Sequence, residues 1–269
     1  MTLDIEFTPS NRVKDYGIEV GNGNVAGVKK INKFGESTDV DNHITDIWDG
    51  ADGATSTDVH VQPTAARIHT IVSASDVDSD SGGVVAQGAG LRTLRVWYLP
   101  DWDTAETTED VVMDGTTGVA MSNAAVFIHR MRGLTYGANL TNTGIITATA
   151  ATDSTISAAI LAAGRQTQMA IYGVSSLETI HVFYAEARVQ GNGTPTVTGT
   201  IEVRQNADLT TSAFTPKHNF TFDETVPWFR DWSMAPKSFA GPCIVKIQCT
   251  ASTTNQNVIA SFDAYVTTN

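Results

Sequence analysis

The chain has 269 residues, a net charge of −12 and 17% charged residues, while 41% of its residues are hydrophobic. That apolar fraction is ample for a buried core and excludes a disordered chain, and the scarcity of Glu, Lys, Arg and Leu excludes a coiled coil. The acidic balance offers no positive face for phosphate contacts, so nucleic acid is not expected as a partner. Abundant Thr and Val point to strands, where β-branched side chains fit the pleated surface. No apolar run reaches the ~20 residues that cross a bilayer, so no membrane partner is expected. Met1 to Glu6 contain no basic stretch followed by an apolar one, which points to synthesis and folding in a cytoplasm.

Residues 1–60 stand apart. They hold five basic and eleven acidic residues, half the net charge in under a quarter of the length. Apolar periodicity is missing between Glu36 and Thr57, and Ile44, Ile47 and Trp48 are isolated hydrophobes in a polar stretch. Such a segment can hardly build a core of its own. It reads as an extended N-terminal arm that orders against a partner, with Ile44, Ile47 and Trp48 as anchors.

From residue 61 the pattern turns to strands. The spacing predicts them over 66–72, 91–99, 108–113, 124–131 and 144–150. Leu94, Val96 and Tyr98 share one face of the second, and Pro100 ends it because proline lacks the ladder donor. Asp114-Gly115 is a turn signal. A short helix is expected over 153–164, capped by Asp153 or Ser154 and closed by Gly164, with Ile156, Ile160 and Leu161 on one face. Strands resume over 168–174, 180–190, 197–205 (after the turn Gly191-Asn192-Gly193), 244–250 and 258–266. Many short strands with one short helix define an all-β chain of one or two β-sandwich or jelly-roll-like units. The expected division is an arm over 1–60, a first sandwich over 61–150 and a second over 151–269.

Few residues suggest chemistry. Asp76, Asp78 and Asp80 alternate as at the start of a calcium loop, but the glycine falls one place late and Gln87 stands where a bidentate Glu belongs. There is no G-x-S-x-G elbow, and the six histidines form no metal-ligand pair. His69, His129 and His181 fall within expected strands as face residues. Glu106, Glu109 and Asp110 lie in a local acidic run and read as a polar loop rather than a glycosidase pair. Cys243 and Cys249, six residues apart on one strand, are too distant to bridge and read as buried free thiols. No catalytic, cofactor-binding or metal-binding residues are therefore assigned, and no cofactor is expected. The densest surface-capable feature is Pro227-Trp228-Phe229-Arg230-Asp231-Trp232. Trp228, Phe229, Arg230 and Trp232 suit a sandwich-end plug, a subunit contact or a glycan platform.

Lys33-Phe34-Gly35-Glu36, then Asp39-Val40-Asp41, then Thr45-Asp46-Ile47-Trp48-Asp49-Gly50 resemble a K-F-G … D-(I/V)-D … E-D-(V/I)-W-D segment. That segment occurs near the N-terminus of virion structural proteins of tailed bacteriophages, especially marine ones. Residues 91–99, 109–117, 145–149 and 166–172 resemble pieces found there in similar order. The resemblance implies a non-enzymatic virion component: a capsid decoration or cement protein, a head fibre or a tail-associated part. The partners it implies are the major capsid protein and copies of the chain itself, a trimer among the options. The arm residues Lys33, Phe34, Asp39, Asp41, Ile44, Ile47 and Trp48 are the expected partner contacts. The alternative is a tail- or fibre-associated protein that binds a host glycan.

Overall fold

The computed structural model describes residues 16–51, 58–190, 195–253 and 255–269. The expected turn at 191–193 and the first part of the expected arm, 1–15, lie outside them. The fold is all-β, with seventeen strands among the described residues and one short α-helix, α1 (Tyr16–Gly21).

Two sheets form the larger sandwich. One runs in the order β1 (Val28–Val40), β17 (Gln256–Thr268), β11 (Glu178–Val189), β14 (Trp228–Asp231), with β15 (Lys237–Ala240) also pairing with β11. The other runs β10 (Ile171–Val174), β16 (Cys243–Ala251), β12 (Val197–Gln205), β13 (Phe214–Phe222), with the two-residue β2 (Thr45–Asp46) also on β16. Alternation places Val245, Ile247 and Cys249 of β16 on the inner face, against Val258, Ala260, Phe262, Ala264 and Val266 of β17. Both cysteines are free and buried there, and burial raises the Cys243 thiol to about 12.

The smaller sandwich is inserted between β2 and β10. Its first sheet has the order β6 (Val119–Ala125), β3 (Arg67–Ser73), β8 (Ile146–Ala150), β9 (Ile156–Ile160). Its second has the order β5 (Thr107–Val112), β4 (Leu91–Leu99), β7 (Phe127–Tyr136). Ile71, Leu94, Val96, Met131, Ile146 and Ile160 fill the space between them. The expected helix over 153–164 is β9 instead. Ile156 and Ile160 are four apart, a spacing that suits one face of a strand as well as one of a helix. Ala158 and Ala159 are buried in the sheet. Since β8 and β9 pair as a hairpin, a boundary at 150 would cut through it, and the chain rejoins the larger sandwich only at β10.

The expected arm also changes. β1 pairs with β17 along nearly its whole length, from Val28 opposite Thr267 to Val40 opposite Gln256. Residues 28–51 therefore belong to the body. A third apolar cluster joins the two sandwiches through Trp48, Leu99, Phe127, Met169, Ile171 and Ile244. Trp48 and Ile47, expected as partner anchors, are 1% and 0% exposed within their own chain.

The remaining residues of that segment clasp this seam. The Ile47 amide donates to Ile247 O (3.1 Å), and its carbonyl accepts from Ala170 N (2.9 Å). Asp49 accepts from Gln168 N (3.0 Å). Gly35 permits the crossing, because a Cβ there would collide with the Ile47 carbonyl.

Candidate functional site

The seam opens on one side into a cleft of about 220 Å³. β1 supplies Lys30 and Lys33, β7 supplies His129 and Arg130, β10 supplies Tyr172, and Glu106 enters just before β5. Lys33 is buried, and its Nζ donates to the His129 carbonyl at 2.6 Å. Burial, and then the charge of Arg130, pull its pKa down to about 7 against a smaller opposing pull from Glu106. Glu106 is also lowered, which in a carboxyl favours the charged form. Burial raises it, but His129, with Nδ1 2.5 Å from Oε2, and the cations Lys29 and Lys33 bring it to about 2. His129 donates from Nε2 to Gly173 O (2.7 Å) and stacks on the Tyr172 ring with centroids 4.2 Å apart. Burial first, then Glu106 and Glu178, raise the Tyr172 hydroxyl well above its ordinary value. The cleft thus holds Lys33 and Arg130 against a lining carboxylate already held by His129, while the Lys30 ammonium lies over the Phe183 ring. Such a site suits a carboxylate or another small anion.

A second cluster lies sealed beneath the seam. On the outer face of β16, Lys246 Nζ contacts Asp46 Oδ1 of β2 at 2.7 Å and lies 3.8 Å from Glu202 Oε2 of β12. The register explains the meeting. Glu202 is directly opposite Lys246, while Asp46 is opposite Gln248, one step along the same face. Lys246 is 3% exposed and Asp46 not at all. The His60 amide donates to Asp46 Oδ2 (2.9 Å), and the Phe214 ring lies 4.2 Å from Nζ. Burial raises the pKa of Asp46 despite Lys246 and His60, and burial likewise raises that of Glu202.

The other sequence candidates scatter. Phe34 and Asp41 are half-buried, and Asp39 and Ile44 are exposed. Among the arm residues, Lys33 and Phe34 line the cleft. Asp78 is fully buried and saturated: it accepts from Ser73 Oγ, Leu91 N, Thr143 N and Gly144 N. Among the described residues no group of three or more His, Cys, Asp or Glu is placed to hold a metal ion. Asp110 pairs with Arg95 (2.6 Å) and Glu109 accepts from Ser122 N and Asn123 N, so the acidic run separates into three unrelated contacts. Trp228 stacks on Phe220 with centroids 3.8 Å apart, and Trp232 packs edge-on against His218. Both tryptophans close the side of the larger sandwich. Phe229 and Met234, in contrast, are 67% and 96% exposed. Arg230 is exposed as well.

The grouping of Glu106, His129, Arg130 and Tyr172 has no local spacing, because it draws on three regions of the chain. Its one sequence signal was a histidine and an arginine side by side in a strand. No family model and no curated protein matches the chain.

Proposed function

We propose that this chain is a non-enzymatic structural component of a bacteriophage particle, a capsid decoration or cement protein on the outside of the shell. The observation that carries the reading is the role of residues 33–50. The segment that resembles virion proteins clasps two sandwiches into one body, so what the resemblance transmits is a scaffold rather than a reaction. A cement protein needs such a body, together with several weak contacts that gain strength by repetition. The exposed Val226, Phe229 and Met234 beside β14 suit a contact with the capsid protein or with another copy of the chain. The cationic mouth beside Lys33 suits an acidic side chain of a neighbour. The acidic charge keeps particles apart and disfavours a position against packaged DNA. The chain would thus be made in the host cytoplasm and reside in the virion.

The test is fractionation of particles. The protein should copurify with empty heads, and heads lacking it should open at lower temperature. Its presence on tails and absence from heads would overturn the reading. A second reading, a tail- or fibre-associated glycan binder, is favoured by one groove. Tyr184, Glu186, Arg188, Trp228 and Phe229 line a shallow recess of about 350 Å³ on the outer face of the larger sandwich. Trp232, packed against His218 and beneath Lys237, is not part of it. Quenching of tryptophan emission by host polysaccharide, lost in Trp228→Ala, would favour this reading.

A further inference from the structure

We propose that Lys246 and Asp46 form an intramolecular isopeptide bond, a covalent cross-link between β16 and β2 for which Glu202 is the proton carrier. Three features of the geometry support it. The amine and the carboxyl are already in contact at 2.7 Å, which places the carboxyl carbon one bond from a touching atom. Both groups are buried, so bulk water neither competes for the carboxyl nor returns easily to hydrolyse the product. A second carboxylate, Glu202, lies 3.8 Å from the same Nζ. Holding reactants in one fixed geometry replaces a bimolecular encounter, with effective molarities of about 10⁵ M or more.

The step balances within the cluster. A proton passes from the Lys246 ammonium to the Asp46 carboxylate, giving a neutral amine and a neutral acid. The raised pKa of Asp46 favours this transfer, and burial disfavours the ion pair it replaces. The Nζ lone pair attacks Cγ, forming the N–C bond. Glu202 accepts a proton from Nζ and delivers it to the departing hydroxyl as the C–O bond breaks. The products are a secondary amide and one water, with no oxidant or cofactor. The His60 amide, bonded to Asp46 Oδ2 at 2.9 Å, is placed to stabilise the oxyanion of the tetrahedral intermediate. Phe214 covers the amine from the other side.

The bond would join β2, just before the inserted sandwich, to β16, well after it in the chain. The whole insertion would then lie within one covalent loop. This inference holds whether or not the chain is a virion protein.

The test is the intact mass of the purified full chain, folded by circular dichroism and incubated for several days at 37 °C. The expected mass is about 18 Da below that of the unmodified chain, the loss of one water. Digestion should yield a branched peptide joining the residue 46 and residue 246 segments. Asp46→Asn should lose about 17 Da instead, because ammonia is then the leaving group. Glu202→Gln should slow the reaction by about a hundredfold, within the range for a general acid–base residue. Lys246→Arg retains the ion pair and should show the full mass. Folded wild-type chain that keeps its full mass after incubation would overturn the proposal. So would a water loss mapped to another position, such as Asp49-Gly50 or Asp114-Gly115.

Discussion

Two tryptophan-bearing segments drew attention in the sequence, 33–50 and 227–232, and the fold treats them in opposite ways. Trp48 sits at the centre of the seam, edge-on to His60 at 4.9 Å and 1% exposed. Phe229 and Met234 project into solvent from the side of β14. The first is polar and carries isolated large hydrophobes, whereas the second is mostly apolar and clusters them. The difference lies in what surrounds them. Residues 45–50 pass between two sandwiches that bury them from both sides, whereas 227–232 cover one edge of one sandwich. Large hydrophobes outside a clear alternating pattern thus mark a contact, but they do not reveal whether the partner is another molecule or another part of the same chain.

The sharpest way to break this comparison is Trp48→Ala. The cavity between the sandwiches should cost about 4 kcal/mol, within the usual range for a large buried side chain. It would be read as a lower denaturant midpoint. A loss under ~1 kcal/mol would mean that the seam is not the core described here.

A pH titration probes the same region. Burial is the main reason that His60 falls to about 4 from its ordinary 6.5. Between those values the unfolded chain binds the extra proton. Stability should therefore fall as pH drops from 6.5 through 4, by up to ~3 kcal/mol. His60→Gln should flatten that part of the profile.

Lys33→Met comes next. The buried ammonium carries its full penalty below pH 7, and the penalty is relieved between pH 7 and 10.5. The variant should be more stable than wild type at pH 6, by about 1–2 kcal/mol. It should also lose the wild-type rise in stability on the alkaline side.

The smallest effect belongs to the other segment. Phe229→Ser should change stability by less than ~0.5 kcal/mol, since the ring buries little within its own chain. If the proposed contact uses it, the same substitution should weaken particle binding.

Much of the fold was legible. β4 was read to the residue, because Leu94, Val96 and Tyr98 alternate cleanly and Pro100 stops the ladder. The last strand likewise showed its inner face at Val258 through Val266. β1 escaped because its inward positions are Lys33, Gly35 and Ser37 rather than apolar residues. Lys33 lines the cleft and Gly35 meets the seam at the Ile47 carbonyl, so the feature that hid the strand also builds the site. β13 escaped because most of its residues are exposed and polar. The helix expected over 153–164 rested on Asp153 as a cap, yet its carboxylate instead accepts from Thr64 N and pairs with Arg67, both far away in the chain. Lys246 was visible as a charge in the middle of an otherwise apolar strand. Its partners, Asp46 and Glu202, could be found only from the register of β16 with its two neighbours.

The pairing of β1 with β17 has a mechanical consequence. Val28 is opposite Thr267, so the start of one strand and the end of the other lie at the same end of a single ladder. Tension between these ends would open the hydrogen bonds one pair at a time, like a zip, rather than shear them together. Peeling would run along β1 past Val40 and then load the Asp46–Lys246 contact. A chain of this construction would yield gradually under a slow pull. The point at which it stopped yielding would be set by one side-chain pair.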